Sequence, residues 1–450
     1  MRYLILRFKE TAMTRARILL AVGGGLVGSV LATARPAVSR PASGWASPLG
    51  VLAADSSRDP MARLHADILA GRRTLAWDTA RGYLPALLGA LDIPVSSQVL
   101  VFSRTSLQTD RIAPWTPRAI YFNDDVYVGF VQESPILEIA AVNPTTGGVF
   151  YTLTQTPRDK ATANRESMTC LMCHQSRSAT GGVPGFMVLS TLADRMGYPM
   201  TGVHDGTTTD ATPHRERYGG WYVTGQVGAN GHAGNRYADK LNHEVNDKAA
   251  YRTAFAALPT AEKRTFAQVF DTAAYPSGQS DVVALMVLTH QTVVHNRITA
   301  VHEAAREAAM SAVSTGGSAD TITPRLRGAV ENLARAMLFI GEAPLTARVQ
   351  GSTTFATDFA KRGPFDKQGR SLRAFDLERR LFKYPMSFLV YSDAFNALPA
   401  TAKREVYARL WTLLLGRDPL PDVQMAAADR SAIVEILSAT KPDFAAARPR

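Results

Sequence analysis

The chain has two cysteines, Cys170 and Cys173, and they stand three apart in the run Thr-Cys-Leu-Met-Cys-His, with His174 directly after the second. Four kinds of chemistry use such a spacing. Two thiols one helical turn apart form a disulfide or a thiol–disulfide redox centre when a helix N-terminus favours the thiolate. A structural zinc site would need four ligands, and so two histidines besides. The pair could also be two unrelated thiols. In covalent haem attachment the two thiols add to the two porphyrin vinyl groups, and the next residue supplies an imidazole to the iron. This last reading needs all three residues in this order, and it needs an exported chain. One such motif predicts one covalent haem c, held by Cys170, Cys173 and His174, with His174 as the proximal iron ligand.

Export is legible at the start of the chain. Arg15 and Arg17 follow Met13 and precede an apolar run from Ile18 to Leu31, and Ala32, Thr33 and Ala34 offer a small-residue cleavage site. Residues 1–34 are therefore expected to be a signal peptide with its true start at Met13, and residues 35–52 a flexible leader rich in Pro, Ser, Gly and Ala. The run is shorter than the ~20 residues of a membrane span and holds four glycines, which favours cleavage over anchoring. No membrane span is expected after cleavage, and the expected location is the periplasm. With two cysteines in 450 residues, no disulfide framework holds the fold.

Function then depends on what faces the iron opposite His174. A strong ligand favours electron transfer, whereas an open position admits O2, peroxide or a small substrate. The candidates for the distal ligand are His290, His295, His232 and Met386, and the three histidines are also the catalytic candidates if that position is open. His290 and His295 lie on one apolar helix but about 140° apart, so they do not converge on one atom. Each could equally be a core histidine bonded to a backbone carbonyl. His232 is flanked by glycines that let backbone approach a flat cofactor, or it makes a local turn bond. Met386 sits in Lys-Tyr-Pro-Met-Ser-Phe, where packing is the bland alternative. Met187, Met196 and Met200 are weaker candidates, and His204 and His214 fall in a Gly/Thr-rich loop. Arg118 and Arg177 could serve the haem propionates, and Asp124 and Asp125 open a turn beside aromatic residues. Trp221 and Tyr222 would suit a porphyrin edge or an ordinary core.

Helical periodicity marks residues 59–91, and β-branched and aromatic runs follow in 96–155, including a hairpin of Leu137–Val142 with Val149–Leu153. Residues 183–240 show little periodicity but many aromatics, as a functional loop system would. Helices are expected again from 251, with one from 281 to 311 capped by Ser280. The expected fold is mainly α, with a small N-terminal β-rich subdomain. The segments are helices plus the β-rich part (53–160), a haem-binding region (161–315) and a C-terminal helical region (316–450).

The five-residue motif resembles the attachment signature of c-type cytochromes. The rest of the chain does not match a minimal class I cytochrome c fold. It is similar to a family of large exported bacterial proteins with one such motif, through "FSRTSLQTDRIAPWTPRAIYFNDDVYVGFVQ", "MTCLMCHQS", "RYGGWYVTGQVGANGHAGN", "LMVLTHQTVVHN" and "FKYPMSFLVYSDAF". The resemblance implies a shared architecture around one haem c and leaves the chemistry open. The expected function is periplasmic electron transfer. The alternative is a haem c-dependent oxidoreductase (peroxidase-, oxygenase- or dehydrogenase-like) with an open or weakly held distal position. A net charge of +11 favours a redox partner with an acidic docking surface. The basic residues are scattered rather than clustered with aromatics, so nucleic acid is not an expected partner. A diheme peroxidase is disfavoured by the single motif.

Overall fold

The computed structural model describes residues 58–200, 205–238, 260–263, 265–316, 321–418 and 425–449. The expected signal peptide and leader, and His204, lie outside the described residues. Helix α1 (Pro60–Leu69) starts where Asp59 accepts the amide of Ala62 and Pro60 occupies the first turn. The other oxygen of Asp59 accepts the hydroxyl of Tyr151, so the cap also fastens α1 to the sheet behind it. Helix α2 (Leu84–Ala90) follows.

Six strands then run as an antiparallel meander: β1 (Val99–Val101), β2 (Arg118–Phe122), β3 (Val126–Phe130), β4 (Ile136–Asn143), β5 (Gly147–Thr154) and β6 (Ala163–Glu166). The expected hairpin is β4–β5, in register from Ile136 opposite Thr154 to Asn143 opposite Gly147. A seventh strand, β9 (Trp221–Tyr222), pairs with β1 and completes the order β6-β5-β4-β3-β2-β1-β9. A small ladder of β7 (Leu189–Thr191) and β8 (Asp205–Thr207) lies between them in sequence.

Alternate residues of the sheet enter two different cores. Leu100, Tyr121, Val128, Ile139 and Tyr151 join α1 and α2 on one face. Val99, Val101, Phe122, Tyr127, Phe150 and Trp221 join the long helix α5 (Val282–Thr315) on the other. Helix α6 (Pro324–Met337), the short α7 (Phe355–Ala360) and α8 (Asp393–Asn396), and α9 (Ala400–Leu414), α10 (Ala427–Thr440) and α11 (Pro442–Ala446) complete this second layer. Helices α3 (Met168–His174) and α4 (Arg177–Thr180) follow β6 directly.

The expectation of a mainly α fold is therefore corrected: a seven-stranded antiparallel sheet, buried on both faces, forms a layer of the protein. Two of its strands come from residues that lack a strand signature. β6 is Ala-Asn-Arg-Glu, and β9 falls within the stretch expected to be loop. Residues 265–271, expected to be helical, run as turns that bury Phe266 and Phe270 against Tyr222. Helix α5 begins one residue later than expected. Asp281 is its cap, and the hydroxyl of Ser280 instead accepts from Leu100 and donates to the carbonyl of Tyr222, joining helix and sheet.

The first half of α5 is buried all round, as befits a central helix. Its threonines bond back to the helix itself, while five other polar side chains each hold another segment. His290 reaches Asp210 and Ser387, Gln291 reaches Asn123, His295 reaches Asp124, Asn296 reaches Phe186 and His302 reaches Ala394.

Candidate functional site

Cys170, Cys173 and His174 all lie on α3, a single seven-residue helix. None of its residues is buried, and no side chain caps its N-terminus. Met168 and Met172, one turn apart, are 80% and 77% exposed, while Leu171 and Cys170 lean partly against the core. Both thiols are free. Burial, with smaller contributions from Glu166 and Glu138, pushes the Cys170 thiol up to about 11. A thiol–disulfide redox centre needs the opposite shift. Among the described residues no group of three or more His, Cys, Asp or Glu side chains converges as a zinc site would require.

His174 is held more firmly than the helix that bears it. Its Nδ1 donates to the carbonyl of Gly185 at 2.9 Å, and the amide of Gly185 donates to the carbonyl of His174 at 2.8 Å. A carbonyl cannot donate, so the neutral ring carries its proton on Nδ1 and its lone pair on Nε2. Burial lowers the affinity of the ring for a second proton, which keeps it neutral at pH 7. The ring rests against Phe150 of β5 with centroids 4.5 Å apart. Nε2 makes no hydrogen bond within the described residues.

The clasp around His174 is in turn tied to α5. The side-chain amide of Asn296 accepts from the amide of Phe186 at 2.9 Å and donates to its carbonyl at 2.7 Å. Gly185 has no room for a side chain, because a Cβ there would come within 2.1 Å of the Asn296 oxygen. Gly185 and Asn296 are the positioning residues that sequence reasoning passed over. Their signals were a glycine eleven residues past the histidine and an asparagine next to His295 in an apolar helix. Arg118 and Glu138 form an ion pair at 2.8 Å near the motif, where both charges act on His174, and Arg118 keeps a buried Nε without a partner.

The four candidate distal ligands have partners or packing of their own. Both ring nitrogens of His290 are engaged, with Asp210 and Ser387, each at 2.8 Å, and the ring stacks on Phe339. This Ser–His–Asp order is the wiring of an activated hydroxyl, but Ser387 and His290 are both fully buried, so no substrate reaches it. His295 donates from Nε2 to the carbonyl of Asp124 at 2.8 Å, and its Nδ1 has no partner. Two phenyl rings, Phe186 and Phe150, stand between it and His174.

His232 lies on the segment packed along β9, at the opposite edge of the sheet from β6 and the motif. Within the sheet, six strand pairings separate those edges. Burial, then Arg236, lowers its pKa to about 4. Met386 is a fully buried core residue. No hydrogen bond or ring contact joins any of the four to His174 among the described residues.

Of the remaining candidates, Asp124 is paired with Arg373 and Arg362, and burial pushes Asp125 up to about 7. His214 bonds the carbonyl of Ala343. Trp221 donates to the carbonyl of Leu189, and Tyr222 to that of Pro114, so these aromatics pin loops to the sheet edge. Met196 is about half exposed, and Met200 packs beside Leu192 and Ala233. Comparison with models of known protein families, with curated proteins and with solved structures gives no match. Among the described residues no helix is long and apolar enough to cross a membrane.

Proposed function

We propose that Cys170 and Cys173 carry one covalently bound haem c with His174 as its axial base, in a periplasmic protein that transfers electrons. The observation that carries this reading is the state of His174. One ring nitrogen is committed to a backbone carbonyl, which orients the ring and fixes its tautomer, and the other presents an unshared lone pair. The helix supports it as well. A seven-residue helix with no buried face is far too short to hold itself in water. A large flat apolar group attached at its two thiols would supply packing on the face that carries Cys170, Cys173 and His174.

Arg118 Nε is a buried donor suited to a carboxylate such as a propionate. The buried donor, the two free thiols and the oriented imidazole therefore fit such a group. When bound, such a group supplies a one-electron iron couple. The chain's own contribution is positional. Gly185 holds Nδ1 and makes Nε2 more basic, Phe150 limits ring rotation, and Asn296 keeps the clasp in place. The excess of positive charge would steer an acidic redox partner toward the protein.

A second reading, a haem c-dependent oxidoreductase with an open distal position, is favoured by one observation. His290 and His295 are both committed within the core, and no hydrogen bond or ring contact joins His232 or Met386 to His174 among the described residues. Optical and EPR spectra of the purified holoprotein with and without CO separate the two. A low-spin haem indifferent to CO is the electron-transfer outcome, and a high-spin or CO-binding haem is the enzyme outcome. A protein matured in the presence of haem that carries none would refute both.

A further inference from the structure

On the far side of His295 from the motif, a cleft of about 580 Å³, counting its open mouth, lies between the sheet and α7. Three phenyl rings line it, Phe122 from β2 and Phe355 and Phe359 from α7. Phe122 and Phe355 approach to 5.6 Å between centroids, and Phe355 and Phe359 to 5.7 Å. Three carboxylates (Asp92, Asp124 and Asp358) and one guanidinium (Arg362) complete the charged lining.

Asp124 is already neutralised by Arg362 and by Arg373 behind it. Asp358 is met by the hydroxyls of Ser96 and Thr354 rather than by a cation. The cleft is thus locally acidic on a chain whose net charge is +11. A second feature points to a ligand. Gln291 also lines the cleft and is fully buried. Its amide donates to the carbonyl of Asn123 and to the hydroxyl of Tyr127, which fixes its orientation, and its Oε1 is left without a donor.

We propose that this cleft binds a small flat apolar molecule bearing a primary amine. The phenyl walls accept the flat body. An ammonium is a cation with three donors and no acceptor, which suits Asp358, Asp92 and the spare acceptor of Gln291. A carboxylate of the same shape would meet two unneutralised carboxylates, and a neutral alcohol would gain only one weak bond.

The cleft also communicates with the motif. Phe122 stacks on Tyr127 at 6.4 Å, Tyr127 meets Phe186 at 4.7 Å, Phe186 meets Phe150 at 6.2 Å, and Phe150 meets His174 at 4.5 Å. If the haem reading above holds, this row of rings places the bound amine at the end of a packed path to the axial ligand. Binding itself does not depend on that reading.

The test is calorimetric titration of the full chain, with and without haem, using phenethylamine, 2-phenylethanol and phenylacetate. The amine is expected to bind most tightly in both forms. D358N, which keeps the side-chain shape, should weaken the amine by about tenfold and leave the alcohol unchanged. D92N, at an exposed position, should have the same sign and a smaller size. Preference for phenylacetate, equal binding of all three probes, no binding at millimolar concentration, or amine binding indifferent to D358N would each overturn the proposal. Loss of amine binding only in the haem-free protein would overturn its independence from the motif. A protein that acquires no haem when exported from cells that assemble c-type cytochromes, yet binds the amine, would sink the haem reading and leave this one standing.

Discussion

Asp281 is a buried carboxylate with five donors aimed at it, and its removal should loosen the helix that positions the rest of the site. Its Oδ1 accepts the amides of Val283 at 2.8 Å and Ala284 at 3.1 Å, capping α5. Its Oδ2 accepts the amides of Ser352 and Thr353 and the hydroxyl of Thr353, all at 2.8 Å. In D281A the cap is lost, for about 1 kcal/mol. The loop amides of Ser352, an exposed residue, and Thr353, a half-buried one, lose their acceptor, for about 0.5–1.5 kcal/mol each. The Thr353 hydroxyl can keep its contact to the carbonyl of Ser96, so it adds little.

Burial pushes the Asp281 carboxyl above its usual range in spite of these bonds, so desolvation offsets part of the gain. The net expectation is a loss of about 2–3 kcal/mol, a sizeable share of the ~5–15 kcal/mol typical of a folded domain. D281N keeps one carbonyl oxygen for the cap but turns an NH2 toward two N–H donors, and should lose roughly 1–2 kcal/mol. The assay is urea unfolding followed by circular dichroism, with amide exchange read at Val283, Ala284, Ser352 and Thr353. A D281A midpoint within about 1 kcal/mol of the parent, with unchanged exchange at those four amides, would refute the reasoning.

Three further outcomes are expected. G185A should push the clasp off Asn296 and misalign the carbonyl on His174, so that ¹⁵N spectra of the haem-free protein lose the single Nδ1–H tautomer at His174. N296A should do the same more mildly, and a retained tautomer in both would contradict the clasp. Burial lowers His295 from its ordinary 6.5 to about 4, so above 6.5 neither state binds the proton. Between 6.5 and 4 only the unfolded chain binds it, and stability is lost as pH falls through that window. The loss is roughly 3 kcal/mol, and in H295Q the urea midpoint should shift correspondingly less between pH 7 and pH 4.5. D124N should leave the nearly buried Arg373 guanidinium without its carboxylate, lowering stability by about 3–5 kcal/mol in urea melts. A change under about 1 kcal/mol would show the pair to be dispensable.

Much of this architecture can be read from residue patterns, and the failures have physical causes. The β4–β5 hairpin was legible because Asn-Pro-Thr-Thr-Gly-Gly lies between two apolar β-branched runs. Strand β9 was not, because Trp221–Tyr222 becomes a strand only by pairing with β1, some 120 residues earlier in the chain. Strand β6 carries Ala-Asn-Arg-Glu, and pairing with β5 alone makes it a strand. The sheet looked like a minor subdomain because its strands are short, while the length of α5 dominated the periodicity. That the two cysteines and His174 share one helical turn was legible because their spacing is local.

The surroundings of His174 were not legible. Gly185 is defined by what its backbone touches, and Asn296 by a partner 110 residues away. The histidines of α5 drew attention as ligands, whereas burial in a central helix gives each a carbonyl, carboxylate or hydroxyl to hold.

The central claim is tested most directly by the intact mass and alkaline pyridine spectrum of the protein exported from cells that assemble c-type cytochromes. The account predicts a mass increase of one haem that survives denaturation, a spectrum of the two-thioether type, and loss of this covalent haem in the double variant C170A/C173A. A mass equal to the polypeptide alone, or covalent haem that persists in that double variant, would contradict it.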